Sequence, residues 1–423
     1  MSEKNLLVFS WNEVTLEALL ERGAHVTLVF DGWEAGHRDI DPGLLNRLDR
    51  HYVIRAYDAL AEIAQLAVEL RSTGVKIDRV LSLSEFSQFG AAYMATLLGL
   101  GQPSIEKSVL MRDKRAMKER AAQAGITCAR YVSLATTDIE GSVRRVEEQL
   151  GFPVVVKPAA GMGSMATGMV HDVEELTAAL RTASTGGGIT ECTQFLIAEE
   201  PIDGDEYHVD AVWEGGQAQV FGISRYLRPR MLLESPGRDN GSILLPRDQE
   251  SELYAEVEAL HARINAAFEI TDDITHLELF RRSDGRLWFS EIATRFAGGA
   301  IPESYKPYGA DLREMWIDAV VHPTDREPLA RHKPAHPYVG WMNLAPSEAG
   351  IITKEPTDEE IRAFPYVRDI IRPRSVGFQI DELHPSVWCT LLVLEADSEE
   401  QFRERVAELE AALLPCYEMT PAS

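Results

Sequence analysis

Residues 274–299 constrain the fold of this chain more strongly than any other stretch. Apolar-rich runs at 274–280 and 287–292 flank the dipeptide Asp284-Gly285. That dipeptide between two strand-like runs is a strong signal for a tight β-hairpin turn. We therefore expect a hairpin whose strands are at least partly buried.

The expected register places two glutamates face to face. A two-residue turn pairs Ser283 with Arg286, and counting outward then puts Glu278 directly opposite Glu291. Like charges at opposed positions destabilise a sheet, so the pair needs a counter-charge or a bound proton. Mg²⁺ would suit, because it binds one or two protein carboxylates together with phosphate oxygens. The alternative is a solvated hairpin face on which the glutamates pair with Arg281, Arg282 or Arg286.

An arginine and two glycines follow the hairpin at once, namely Arg295 and Gly298-Gly299. A guanidinium and a backbone without side chains would suit a crowded site that holds an anion.

Length and composition exclude several classes of protein. A chain of 423 residues suits two or three packed α/β lobes. The formal net charge of −25 argues against a nucleic-acid partner, which needs a basic face. No apolar run approaches the ~18 residues of a membrane span, and the first residues lack a signal-peptide layout, so we expect no membrane partner and a cytoplasmic location. The four cysteines have no metal-ligand spacing.

Alternating strands and helices predict a parallel sheet in the first hundred residues. No GxGxxG follows the first strand, so a dinucleotide site is not supported. Glu85 comes just after a predicted strand, where open α/β sheets bind ligands. A glutamate that begins the helix to Leu98 and interacts with its dipole is the alternative.

A lysine and a glycine-rich loop follow a short buried strand at 154–156. The loop, residues 159–169, could wrap backbone N–H groups around phosphate, with Lys157 as a point charge. It lacks the Walker A sequence, and a flexible hairpin turn is the alternative. Upstream, residues 109–126 predict one helix with Lys114 in its first half, where a solvated basic face is the alternative.

Acidic and basic residues cluster around the next predicted strands. Residues 194–224 predict three strands of one antiparallel sheet, and Glu199, Glu200 and Glu206 flank the first turn. Solvated acids at strand ends are the alternative. The aperiodic stretch 226–246 follows Arg225 and contains Arg228 and Arg230. These three arginines could meet an anionic ligand or be solvated.

In this order and spacing, these pieces resemble the ATP-grasp superfamily over about residues 105–300. The motifs are Lys114, VVVKP, the glycine-rich loop, AEEPIDGDEY, HLELF and EIATR. The form EIA-x-R-x-A-G with H-x-E upstream is similar to the L-amino acid ligase branch of the ATP-dependent carboxylate–amine ligases. The resemblance implies an α/β ATP-grasp fold in four parts: an N-terminal Rossmann-like domain at 1–104, a lid subdomain at 105–195, a catalytic subdomain at 196–330 and a C-terminal α/β unit at 331–423.

The resemblance also implies roles for individual residues. Lys114 and Lys157 would contact the ATP phosphates, and Glu278 and Glu291 would bind Mg²⁺, with Glu291 bridging. Arg295 would steady the transferred phosphoryl group and, with Lys157, act in catalysis. The remaining ATP-binding residues would lie in the lid, the adenine hinge and the ribose site: Gly161, Gly163, Ser164, Met165, Glu199, Glu200, Ile202 and Glu206. The substrate-binding residues would be His276, Arg295, Gly298, Gly299 and Glu85, although a packed histidine is the alternative for His276.

One position departs from the family pattern, because Ala293 stands where the motif E-I-N-x-R has asparagine. The expected cofactors are therefore ATP and one or two Mg²⁺ ions, which Mn²⁺ could replace. The implied reaction is formation of an amide or peptide bond through an acyl-phosphate, with a small carboxylate and an amine as substrates. The alternatives are a purine-pathway or bicarbonate-activating ATP-grasp enzyme and a non-catalytic ATP-binding module. A homodimer is left open.

Overall fold

The structure is a computed structural model that describes residues 4–184, 195–233, 235–321 and 334–421. The predicted boundary between residues 330 and 331 lies outside these ranges, and the four-part division stays a prediction. Among the helices in the described ranges, none has the length and apolar character needed to cross a membrane.

A parallel sheet with covering helices forms the N-terminal part, as the alternating pattern predicts. Its four strands lie in the order β3-β2-β1-β4, and all three strand pairs are parallel. The elements are β1 (Asn5–Phe9), α1 (Glu13–Glu21), β2 (His25–Asp31), α2 (Gly32–His37), α3 (Pro42–Arg47), β3 (Arg50–Ile54), α4 (Leu60–Ser72), β4 (Arg79–Ser82) and α5 (Gln88–Leu97).

The prediction that Glu85 begins a helix is wrong. Helix α5 begins at Gln88, and Glu85 lies in the turn between β4 and α5, with 6% of its surface exposed. Its carboxylate contacts arginine side chains and therefore plays no part in capping the helix.

The single helix predicted at 109–126 is two helices, α6 (Ile105–Arg112) and α7 (Lys114–Gln123). Asp113 separates them because its backbone is extended and its side chain accepts a hydrogen bond from Arg115 N, which caps α7. Lys114 is thus the first residue of a helix. The chain continues with β5 (Tyr131–Ala135), α8 (Ile139–Gln149), β6 (Val154–Pro158), β7 (Gly168–Val170), α9 (Val173–Ser184) and β8 (Phe195–Glu199).

The three strands predicted at residues 194–224 lie in two sheets, not one. Strand β8 joins a four-stranded sheet of order β5-β8-β6-β7, so the prediction that it pairs with the next two strands is wrong. Those two strands enter an eight-stranded sheet of order β13-β12-β9-β10-β11-β14-β18-β16. Its strands up to the hairpin, with the long helix that packs on them, are β9 (Asp205–Glu214), β10 (Gln217–Tyr226), β11 (Gly241–Leu244), α10 (Ser251–Phe268), β12 (Ile274–Arg281) and β13 (Leu287–Ala293).

The β12–β13 hairpin places Glu278 opposite Glu291, as predicted, but by a different register. Gly285 N donates to Arg282 O and Arg282 N to Arg286 O, so three residues form the turn and the predicted Ser283–Arg286 pair is wrong. Gly285 has φ +82°, as expected for the left-handed end of such a turn. An irregularity between Glu278 and Leu279 leaves Ser290 without an opposed residue and restores the predicted glutamate pair.

Three of the C-terminal strands extend the same eight-stranded sheet, and three others form a separate sheet of order β17-β15-β19. Strand β14 pairs with β11 and β18, so the predicted C-terminal unit is continuous with the sheet that holds the hairpin. The elements after the hairpin are α11 (Ile301–Ser304), α12 (Leu312–Val321), β14 (Tyr338–Leu344), β15 (Gly350–Lys354), α13 (Asp358–Arg362), β16 (Val367–Ile371), β17 (Gln379–Ile380), β18 (Thr390–Ala396), α14 (Glu399–Leu413) and β19 (Glu418–Thr420).

One buried apolar cluster joins the N-terminal sheet to the eight-stranded sheet. It contains Val8 and Leu28 from the first sheet and Ile274 and Trp341 from the second. The β5-β8-β6-β7 sheet has a separate core that packs under α8 and α9. The glycine-rich loop between β6 and β7 therefore belongs to a layer whose packing is largely its own.

Candidate active site

A cavity of about 390 Å³ is lined by residues of the β5-β8-β6-β7 sheet and of the hairpin. Every residue predicted to bind ATP or metal lines it. These residues are Lys114, Lys157, Gly161, Gly163, Ser164, Met165, Glu199, Glu200, Ile202, Glu206, Glu278 and Glu291. The hairpin, the loop and the acidic turn therefore meet at one place, although more than a hundred residues separate the loop from the hairpin in sequence.

The glycine-rich loop connects two paired strands, β6 and β7, and also lines the cavity. The sequence left a phosphate-binding loop and a hairpin turn as alternatives. In the structure the loop is a hairpin connection and also forms a wall of the cavity. Lys114 Nζ donates to Gly161 O at 2.9 Å, and Lys114 N donates to Ala159 O at 2.8 Å. The first turn of α7 therefore holds the start of the loop.

The two facing glutamates are only partly neutralised by the protein. Lys114 Nζ lies 2.8 Å from Glu291 Oε2. Glu278 Oε1 accepts from Tyr226 OH at 3.1 Å and lies 3.4 Å from His276 Nε2. Among the described residues, the other oxygen of each carboxylate has no hydrogen bond. The hairpin arginines pair elsewhere or lie over Trp288, so the solvated-face alternative is wrong.

Lys157 belongs to a buried network in which one carboxylate neutralises two ammonium groups. Glu199 Oε2 lies 2.9 Å from Lys157 Nζ, and Glu199 Oε1 lies 3.2 Å from Lys118 Nζ. Burial would raise the pKa of Glu199, but the two lysines outweigh it and lower the pKa to about 2. Burial opposes the charge on Lys157, yet Glu199 and Glu291 raise its pKa. Lys157 is therefore a fixed cation at the cavity, and the solvated alternative for Glu199 is wrong.

Glu206 and Arg230 meet at another wall of the cavity. Arg230 N donates to Glu206 Oε2 at 2.6 Å, and the guanidinium lies over Tyr226 and Trp388. Burial and the nearby carboxylate of Glu278 raise the pKa of Glu206 to about 8. Arg230 is 8% exposed and lines the cavity, whereas Arg225 pairs with Glu399, and Arg228 lies 3.7 Å from Asp239. Glu200, another acid of the same turn, pairs with Arg130 through its Oε2 atom.

His276 belongs to a buried cluster on strands β9 and β12. Asp210 accepts from His276 Nδ1 at 2.8 Å and from His208 Nδ1 at 2.6 Å, and His208 Nε2 lies 2.8 Å from Ser242 Oγ. Burial would lower the pKa of His276, but Asp210 and Glu278 raise it to about 9. The same three side chains are near enough to share a metal ion. Their mutual hydrogen bonds instead orient His276 toward Glu278.

Arg295 does not line the cavity that holds the other predicted cations. Its guanidinium donates to Glu85 Oε2, whose partner oxygen lies 2.9 Å from Arg112 Nη1. Burial would raise the pKa of Glu85, but the two arginines lower it to about 2. Arg295 lines a separate cavity of about 520 Å³, together with Ser82 of β4 and Gln88 of α5.

The two glycines after the hairpin pack against tryptophans. A Cβ atom on Gly299, whose φ is +70°, would lie 2.6 Å from the Trp341 ring, and one on Gly298 would lie 3.7 Å from Trp388 Nε1. Neither glycine lines the 390 Å³ cavity. The requirement for glycine at 299 is therefore explained by close packing and a left-handed backbone.

Sequence reasoning missed several residues of the site. Lys118 and Arg112 belong to a stretch whose basic residues look solvated in sequence, yet both are buried ion-pair partners. The sequence did contain a signal for both. Arg112 lies two residues before Lys114 and Lys118 lies four residues after it, on helices that pack against the interior. Asp210 and Ser386 carried no recognisable signal, since each acts through residues distant in sequence.

Part of this chain matches a known protein family, and several known ligases are similar to it in sequence. Residues 150–303 match the family model of the ATP-grasp domain. The chain is 28% identical over 339 residues to an L-arginine-specific L-amino acid ligase of Bacillus subtilis, covering 80% of this chain and 79% of that protein. It is 29% identical over 259 residues to a D-alanine–D-alanine ligase of Arthrobacter sp. strain FB24, covering 57% of this chain and 59% of that ligase.

A solved structure has the same fold along the whole chain. The crystal structure of an L-amino acid ligase from Bacillus licheniformis superposes with a TM-score of 0.79 at 19% identity and covers 100% of both chains. The chain thus contains an ATP-grasp domain, has the ATP-grasp fold, and resembles the ATP-dependent carboxylate–amine ligases of the L-amino acid ligase type.

Proposed function

We propose that this protein is an ATP-dependent ligase that joins an amino acid or related carboxylate to an amine, releasing ADP and phosphate. The observation that carries the proposal is the arrangement around the 390 Å³ cavity. Two opposed glutamates, two lysines and a glycine-rich loop line one space, and Arg230 adds a further buried cation. This is the set of groups that phosphoryl transfer needs, since it depends on positioning and charge neutralisation more than on a protein nucleophile.

The donor set fits Mg²⁺. Two carboxylates on opposed strand positions offer oxygen ligands, and one oxygen of each has no hydrogen bond among the described residues. Glu278 and Glu291 would hold the ion, which when bound neutralises phosphate charge. Ala293 lies opposite His276 and offers no side-chain oxygen, so whether one or two ions bind stays a prediction. Mn²⁺ would fit the same oxygens.

The cavity walls suggest where the parts of ATP lie. Lys114 and Lys157 would contact the phosphates, and the loop with Gly161, Gly163, Ser164 and Met165 would cover them. The segment Glu199, Glu200 and Ile202 would meet the adenine. Glu206, whose pKa is raised by burial and by Glu278, would meet the ribose hydroxyls.

The reaction would proceed in two steps. A substrate carboxylate oxygen attacks the γ-phosphorus of ATP, the bond to the β–γ bridging oxygen breaks, and ADP leaves. The amine nitrogen then attacks the acyl carbon, phosphate leaves, and the amine gives up a proton. The glycine-rich loop would exclude water during these steps, because an exposed acyl-phosphate is hydrolysed.

Arg295 supports the second step from outside the ATP cavity. Its guanidinium, fixed by Glu85, borders the 520 Å³ cavity between the N-terminal sheet and the end of the hairpin. We propose that it steadies the acyl-phosphate formed beside Glu278 and Glu291, with whose carboxylates its charge interacts, and that Glu85 acts by holding Arg295. His276 would orient Glu278, and Gly298 and Gly299 would shape the adjoining wall.

Turnover with pooled substrates tests the proposal. The purified chain is incubated with ATP, Mg²⁺ and a mixture of amino acids, and ADP, phosphate and new amide products are measured by mass spectrometry. We expect ADP release that requires both a carboxylate and an amine. Release that instead requires bicarbonate or a ribotide would contradict the proposal, and ATP binding without turnover in any mixture would indicate a non-catalytic module.

A further inference from the structure

A hydrogen bond ties the glycine-rich loop to the C-terminal part of the chain. Ser386 Oγ donates to Gly163 O at 2.8 Å, across 223 residues of sequence. Ser386 lies between β17 and β18, whereas Gly163 lies between β6 and β7 in the separate β5-β8-β6-β7 sheet. The two residues thus belong to different layers, and Gly163 lines the ATP cavity.

The loop approaches Ser386 at a position where only glycine fits. Gly163 has φ +59°, and a Cβ atom there would lie 2.5 Å from Ser386 Oγ. The next residue, Ser164, is also left-handed, with φ +59°. Side chains are disfavoured in this backbone region, so the loop conformation needs support from its surroundings. The Ser386 hydroxyl provides one such support.

Ser386 is itself held firmly from the C-terminal side. Arg374 Nη1 donates to Ser386 O at 3.4 Å and to Trp388 O at 3.3 Å. Asn240 Nδ2 donates to Pro385 O at 2.8 Å. Backbone groups on both sides of Ser386 are therefore anchored to side chains outside the loop, so its hydroxyl is a fixed partner.

The same serine also lies beside the buried arginine of the ATP cavity. Arg230 Nη2 lies 3.5 Å from Ser386 Oγ, and Arg230 Nη1 donates to Asn240 Oδ1 at 2.7 Å. The guanidinium lies over the ring of Trp388, 5.1 Å from its centroid. Ser386 thus touches a cation and a loop that both line the cavity.

We propose that Ser386 is a positioning residue, through which the C-terminal part of the chain holds the glycine-rich loop and Arg230 over the phosphates. The inference rests on the proposed function. Without the hydroxyl, the loop loses a fixed partner and closes less completely over the nucleotide. Water then reaches the acyl-phosphate, so more ATP is hydrolysed for each amide formed.

The test compares Ser386→Ala with Ser375→Ala in the full chain. Ser375 is exposed, lies in the same C-terminal part and does not line the cavity, so its variant controls for a serine-to-alanine change. Three quantities are measured: the dissociation constant of a non-hydrolysable ATP analogue with Mg²⁺, the hydrogen exchange of amides 161–167, and the ratio of ADP to amide product. Thermal unfolding establishes that each variant is folded.

For Ser386→Ala we expect about fivefold weaker analogue binding, the effect of one lost hydrogen bond, with faster loop exchange and a higher ADP-to-amide ratio. Ser386→Thr, which keeps the hydroxyl, should recover most of each value, and Ser375→Ala should match the wild type. Unchanged binding and loop exchange in a folded Ser386→Ala protein would overturn the inference and leave the proposed function standing. If the wild type fails to bind the analogue, the proposed function and the inference both fall.

Discussion

Arg295 donates to the carboxylate of Glu85, a residue 210 positions earlier in the chain. The pair links the end of the hairpin to the turn after the last strand of the N-terminal sheet, and Arg112 neutralises the second oxygen of Glu85. A group so placed can steady a substrate anion only if its own position is fixed. The buried carboxylate of Glu85, which it shares with Arg112, fixes it.

Glu85→Gln should therefore impair both stability and turnover. It removes the counter-charge that two buried guanidinium groups share, which should lower the free energy of unfolding by about 3–5 kcal/mol. Denaturant unfolding and ADP release measure the two effects. Glu69→Gln, at an exposed position of α4, is the control and should stay within about 0.5 kcal/mol of the wild type. Equal stability of the Glu85 and Glu69 variants would contradict the ion-pair assignment.

Glu291→Ala should abolish turnover in a folded protein. The substitution removes the carboxylate opposite Glu278 and frees Lys114, whose ammonium lies 2.8 Å from it. Coupled ADP release over a range of Mg²⁺ concentrations measures activity, and circular dichroism establishes the fold. Asp284→Ala, in the hairpin turn and paired only with Arg286 among the described residues, is the matched control. Wild-type activity of the Glu291 variant would refute the metal assignment.

The ion pairs of Glu199 should make stability depend on pH in acid. Its pKa in the folded protein is about 2, below the ordinary value of 4.5. A depressed carboxylate pKa stabilises the fold above about pH 4.5, and this contribution is lost as the pH falls toward 2. The difference in unfolding free energy between wild type and Glu199→Gln should be constant above pH 5 and shrink below it.

The neighbouring acid supplies the control for this titration. Glu200 pairs with Arg130, whose side chain is 63% exposed. Such surface pairs contribute about 1 kcal/mol or less, so Glu200→Gln should leave the acid dependence nearly unchanged. If the difference in unfolding free energy between wild type and Glu200→Gln shrank below pH 5 to the same extent, the acid dependence would not come from Glu199.

Arg230→Met should raise the KM for ATP about tenfold or more, because charged hydrogen-bonding groups contribute about 1.5–3 kcal/mol. Arg230→Lys should recover only part of the loss, since an ammonium cannot reproduce the planar contact with Tyr226 and Trp388. Arg228→Met, at a half-buried position outside the cavity lining, is the control. An unchanged KM in the Arg230 variant would exclude a role at the nucleotide.

The hairpin shows how far pattern reading reaches. The apolar runs and Asp284-Gly285 predicted the hairpin and the opposed glutamates, and both are present. The predicted turn was one residue too short, and an unpaired Ser290 compensates for it. The residues that favour a turn are neighbours in sequence, so a turn can be predicted from the sequence. A bulge depends on the neighbouring strand β9 and on the packing beneath it.

Sequence by itself determined the kinds of chemical groups in this protein and their order, because local apolar periodicity and short motifs depend on neighbours along the chain. The resemblance of those motifs to the ATP-grasp superfamily implied the ATP-grasp fold, which the comparisons confirm. Only the tertiary structure decided which charges meet. Lys118, whose sequence context predicts a solvated side chain, is buried against Glu199. Arg295 donates to Glu85, and Ser386 donates to Gly163. Such contacts join layers that fold from distant segments, and a buried charge is stable only where another segment supplies its partner.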